Sequence, residues 1–126
     1  MKTLIFAFSF LWMLKTTGQQ VPAARAVIDS AYARAAIEKK NVFVLFTATW
    51  CGPCKELKRS LTDVYNKQYF EENYIIVILH GDELAANKHI ENPETDSARK
   101  ELRPDSLNFI PYWAILTPKR KKLAEG

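Results

Sequence analysis

Scarcity marks this 126-residue sequence: it holds two cysteines, two histidines, two methionines and only four glycines. With 48% hydrophobic and 25% charged residues around those few glycines, the composition excludes a disordered chain and suits one small globular domain. Internal repeats and low-complexity stretches are absent, which excludes solenoid and linker architectures. The formal charge is +4, and loss of Lys2 and Lys15 with an expected leader would bring it to +2, too slight a surplus for a nucleic-acid-binding face. The apolar run Leu4 to Leu14 spans 11 residues, short of the roughly 20 that cross a bilayer as a helix. No cysteine follows that run closely, so a lipoprotein anchor has no attachment site.

What is present at the start is Lys2, that apolar centre, and an exit through Thr16 and Gly18. Basic start, apolar middle and small-residue exit describe a secretory signal peptide. Residues 1–18 are therefore expected to be a leader cleaved after Gly18, with the domain over 21–126. The expected location is the periplasm or the exterior, and an uncleaved membrane anchor is the less favoured reading.

The remaining pattern alternates helices and strands. Val21 to Lys40 reads as one helix, alanine-rich, with Pro22 in its first turn and Val27, Ile28, Ala31 and Ala35 on one face. Val42 to Phe46 (VFVLF) is an unbroken apolar run, as expected of a central strand covered on both faces. From Pro53 a helical period runs to about Phe70, placing Cys54, Leu57, Leu61, Val64 and Tyr65 on one side. Tyr74 to Leu79 reads as a second buried strand, parallel to the first across this helix. Pro93 introduces a helix over 94–103 with Ala98 and Leu102 inward; Tyr112 to Leu116 and Lys122 to Ala124 read as two further strands. An α/β domain follows, with the strands at 42–47 and 74–79 as parallel neighbours.

Cys51 and Cys54 enclose too short a loop to stabilise the chain much by crosslinking, so reactivity explains the pair better. They sit where a strand ends and a helix begins. Free N–H groups and the positive end of the helix dipole favour a thiolate at Cys51, below the roughly 8.5 of a free cysteine. Cys54, one turn inside, is shielded by the packing face. Cys51 is thus expected to be the exposed nucleophile and Cys54 the resolving thiol.

The segment Trp50-Cys51-Gly52-Pro53-Cys54-Lys55 after an apolar strand resembles the active site of thioredoxins, particularly the thioredoxin-like thiol–disulfide oxidoreductases of bacterial envelopes. The resemblance extends over 21–126. It implies a thioredoxin-like fold with strand order 74–79, 42–47, 112–116, 121–124 and the third strand antiparallel to its neighbour, a cis-proline at Ile110-Pro111, and a substrate groove formed around Cys51 by Trp50, Gly52, Pro53, Ile110 and Pro111. It also implies protein disulfides or dithiols as substrates, no cofactor beyond the cysteine pair, and a monomer. Gly52-Pro53 resembles the dipeptide of reducing thioredoxins, which points to a reductase recharged by a membrane electron donor. The sequence departs from the family in four places. Leu45 stands where thioredoxin buries an aspartate, leaving Glu56 or Glu83 as possible substitutes. Arg59 replaces a helix-kinking proline, so a straighter helix is expected. The connection from Leu79 to Pro111 is longer than in a minimal thioredoxin, and the final helix is missing, which suggests a C-terminally truncated chain.

Competing readings are weaker. Zinc at Cys51 and Cys54 with His80 and His89 meets the wrong histidine spacing. His80 is expected to cap the strand end and His89 to lie on the loop surface. Lys119 to Lys122 reads as a solvated turn. Phe109 and Trp113 are expected in the core, with Tyr112 bordering the groove. The rival from another class is a non-enzymatic thioredoxin-fold module that holds a partner or Cu(I) through two thiolates; both methionines, Met1 and Met13, fall within the leader, so methionine cannot assist it.

Overall fold

The computed structural model describes Gly18 and residues 20–103 and 109–126, so the leader expected over 1–18 lies outside the described residues apart from Gly18. The chain runs α1 (Ala24–Glu38), β1 (Asn41–Thr47), α2 (Gly52–Thr62), α3 (Lys67–Asn73), β2 (Tyr74–His80), a 3-10 turn (Ala85–Ile90), α4 (Thr95–Leu102), β3 (Tyr112–Leu116) and β4 (Lys122–Glu125). The sheet order is β2-β1-β3-β4. β1 pairs parallel to β2 and antiparallel to β3, as expected, and β4 closes antiparallel on β3.

The unbroken apolar run of β1 has its physical reason in two cores. Val42, Val44 and Phe46 face the layer of α1 and α4, where they meet Ala24, Ile28, Ala31, Tyr32, Ala35 and Ala98. Phe43 and Leu45 face the opposite layer and meet Leu57, Leu61 and Phe70. Alternating side chains of one strand therefore fill both sides of the sheet, and none of the five is more than 4% exposed. Leu45, at the position of the family's buried aspartate, is fully buried among apolar neighbours.

The helix expected from Pro53 to Phe70 is two helices. α2 ends at Asp63, whose backbone leaves the helical region at ψ 144° and whose carboxylate accepts from the backbone N–H of Tyr65. Asn66 then donates to the Ser60 carbonyl and tightens the corner. Short polar side chains that bond nearby backbone compete with the helix ladder, and here they win. Val64 and Tyr65, expected on the buried side, are 80% and 89% exposed on the corner. α2 itself runs unbroken through Arg59, and the break comes only after Thr62. Of the aromatic assignments around Pro111, those of Tyr112 and Phe109 are reversed, while Trp113 packs on a core as expected. Tyr112 is fully buried, stacked on Phe46, with its hydroxyl donating to Glu125 Oε2 at 2.7 Å. Phe109 is 43% exposed beneath the Arg103 guanidinium. Period-2 alternation from Tyr112 sends Trp113 to the other face, where it stacks on Phe43.

Phe46 joins β1 to β3 at the end of the sheet that carries the cysteines. Phe46→Ala should cost about 3–5 kcal/mol, measured as a lower urea midpoint with little change in slope.

Candidate functional site

Thr47 ends β1, and the chain turns at once: the Cys51 N–H donates to the Ala48 carbonyl at 3.2 Å. Cys51 is the N-cap of α2, with extended backbone, and its Sγ accepts from the Cys54 N–H at 3.2 Å. Gly52 and Pro53 supply the first turn, a position where proline costs no hydrogen bond. The two cysteines, with Cα atoms 5.3 Å apart, are joined in a disulfide. Geometry thus places the Cys51 sulfur where a first-turn N–H group points, the place a thiolate is best stabilised.

Ile110 packs against Ala48, Cys51 and Cys54, and the Ile110–Pro111 peptide bond is cis, as the resemblance implies. Trp50 is 51% exposed beside the disulfide, and Gly52 and Pro53 are exposed in front of it. The residues expected to form a groove are therefore gathered at one end of the sheet. One expectation fails. Cys51, expected to be exposed, is 3% exposed with the disulfide closed and Cys54 is fully buried, both packed against Ile110.

The substitutes suggested for the missing aspartate separate clearly. Glu56 is exposed and pairs with Arg59. Glu83 is buried, and its two oxygens are committed to the turn that leads into Cys51. Oε1 accepts the Thr49 backbone N–H at 2.8 Å, Oε2 accepts the Thr49 hydroxyl at 2.6 Å, and His80 Nδ1 approaches Oε1 at 2.9 Å. The preceding residue acts on the next position of the same turn: the Asp82 carbonyl accepts the Trp50 indole N–H at 2.8 Å. Asp82 is in the left-handed region, with φ 54°, and its carboxylate is held by buried Arg99 of α4, which also binds Asp96. Gly81 is needed for this arrangement, since a Cβ there would lie 2.5 Å from the Thr95 side chain.

This second layer was not readable as such. Glu83 was visible as an acid after a strand, but its target, Thr49, lies 34 positions earlier. His80 ends β2 and binds Glu83, while His89 lies exposed in the 3-10 turn, and both match expectation. Burial pushes the Glu83 carboxyl up, but the hydrogen bonds from Thr49 and His80 outweigh it and leave the group below the ordinary glutamate range.

A family model described as thioredoxin-like matches residues 23–118. Tryparedoxin of Trypanosoma brucei brucei is 34% identical over 50 residues, which is 40% of this chain and 35% of that protein. Probable nucleoredoxin 1 of Arabidopsis thaliana is 39% identical over 44 residues, 35% of this chain and 8% of that protein. The match thus spans about a third of the first relative and less than a tenth of the second. Among solved structures, a disulphide isomerase from Xylella fastidiosa Temecula1 superposes with TM-score 0.61 at 20% identity, covering 81% of this chain and 72% of that one. The C-terminal domain of Neisseria meningitidis DsbD in the oxidised form superposes with TM-score 0.57 at 20% identity, covering 85% and 84%. At such identities the superpositions carry the fold alone.

A carboxylate with a lowered pKa stabilises the fold fully above its unfolded value, and that contribution disappears as pH falls through the folded value. Urea midpoints should therefore drop below about pH 4.5. Glu83→Ala should lie lower than wild type at pH 7 and lose less on acidification.

Proposed function

This chain belongs to the thioredoxin-like family, and from that premise we propose that it exchanges disulfides with protein substrates outside the cytoplasm, acting as a reductase. The observation that carries the reading is the Cys51–Cys54 disulfide at the start of α2, directly beneath Ile110. In the reduced protein the Cys51 thiolate attacks one sulfur of a substrate disulfide. The substrate S–S bond breaks, a Cys51–substrate S–S bond forms, and the other substrate sulfur leaves as a thiolate. Cys54, one turn along the helix, then attacks Cys51 Sγ. The second substrate sulfur leaves, the Cys51–Cys54 disulfide closes, and two electrons have passed to the substrate.

The flanking residues supply the substrate's seat. Trp50, Gly52 and Pro53 present a partly apolar surface, and the Ile110–Pro111 edge offers backbone against which an extended peptide can lie. The leader over 1–18 supports a location in the periplasm or beyond, where a membrane electron donor would return the pair to its dithiol form.

Reduction of insulin disulfides by the full chain in dithiothreitol tests this. Wild type should accelerate it, Cys51→Ser should fall to the rate of dithiothreitol alone, and Cys54→Ser should accumulate mixed disulfides. A folded wild type no faster than dithiothreitol overturns the reading. Equilibration with glutathione tests the direction: a potential of about −230 to −270 mV fits a reductase, and one near about −120 mV overturns it.

A further inference from the structure

Glu83 is the one buried carboxylate among the described residues, and the exchange chemistry as written makes no use of it. Burying an ionised group is costly unless it is paired and hydrogen-bonded. This one is held by Thr49, through both backbone and hydroxyl, and by His80. Its own N–H donates to Glu91 Oε2, and Asn87 donates to the Thr49 hydroxyl, so the segment after β2 is tied to the Cys51 turn from several sides. Thr49 is two positions before Cys51, and Trp50 between them is fastened by the adjacent Asp82.

We infer that Glu83 is a positioning residue for Cys51: it fixes the turn through Thr49, and its negative charge restrains thiolate formation at the Cys51 sulfur. The inference rests on Cys51 being the nucleophile. Two fields then meet at that sulfur. The N-terminus of α2 favours the thiolate, and a carboxylate behind the turn, away from water, opposes it. The other charged or titratable groups around this end of the sheet are largely balanced. Asp82 and Asp96 share Arg99, Asp96 also meets Lys100, and Glu91 pairs with Lys88, while His80 is hydrogen-bonded to Glu83 itself and is part of that carboxylate's own setting. Lys55 and Glu56, one of each sign, are exposed on α2. The buried carboxylate thus makes Cys51 less acidic than the helix terminus alone would. A less stabilised thiolate makes the dithiol the weaker form and the protein the stronger reductant.

The test is the pH dependence of iodoacetamide modification at Cys51 in the reduced full chain, read by peptide mass, for wild type, Glu83→Gln and Thr49→Val. Glutamine retains an acceptor and a donor for Thr49 but removes the charge. Its Cys51 midpoint should fall by about half a unit to one unit, with a correspondingly more oxidising potential. Thr49→Val keeps the charge and loosens the turn, so its midpoint should match wild type while insulin turnover falls several-fold. A Glu83→Gln profile superposed on wild type overturns the electrostatic role, and wild-type turnover in Thr49→Val overturns the positioning role. If Glu83→Gln does not fold, Thr49→Val alone decides: wild-type turnover or a displaced midpoint overturns the inference. The Cys51 titration needs no turnover, so inactivity of wild type toward insulin would count against the proposed function while leaving the Glu83→Gln midpoint and the Thr49→Val midpoint as tests of this inference.

Discussion

The parallel pairing of β1 with β2 is the constraint on which the rest depends. The register runs from Asn41 opposite Tyr74 to Thr47 opposite His80, so both strands end at the same level. The Gly81 N–H then donates to the Thr47 carbonyl and continues the pairing one residue past the strand end. Parallel strands send the chain out of the sheet in the same direction. The turn entering α2 and the turn leaving β2 therefore lie side by side, and Thr49 to Cys51 meet Gly81 to Glu83. The third strand arrives antiparallel, so its beginning rather than its end comes to the same edge, and with it Ile110 and Pro111. Three sequence-distant segments converge through sheet topology alone.

What converges there is a balance between burial and hydrogen bonding. Glu83 is shut away from water, which opposes its charge, yet its partners more than offset the penalty. Arg99, almost wholly buried, is treated similarly through Asp82 and Asp96. These two charged residues act through Asp82 and Thr49 on neighbouring positions of one turn, and they tie α4 and the connection after β2 to the cysteine helix. The segment just after β2 thereby holds Trp50 and Thr49 in place.

Much of the fold was legible because its signals are local. The apolar runs Val42 to Phe46 and Tyr74 to Leu79 read as strands on their own, although the second lies at the sheet's edge with Ile78 40% exposed, and the strand order came with the family resemblance. The cysteine pair was legible because strand end, cysteine, Gly-Pro and helix follow one another in the chain. Where local signals competed, the reading failed. Between Pro53 and Phe70 the apolar period continues through Val64 and Tyr65, but Asp63 and Asn66 bond nearby backbone and break the helix. At Tyr112 to Trp113 alternation was evident and its phase was not, because phase depends on which face of β1 lies opposite. Val44 pairs with Ala114, which turns Tyr112 toward the α1 side and Trp113 toward α2.

The sequence by itself determined which residues form strands and helices, and that two thiols stand at a helix N-terminus, since both are properties of neighbours along the chain. Only the tertiary structure decided that Ile110 covers the disulfide, that Cys51 is buried, and that Glu83 grips Thr49. Those contacts join residues tens of positions apart, and they depend on strand register, which the sheet as a whole sets.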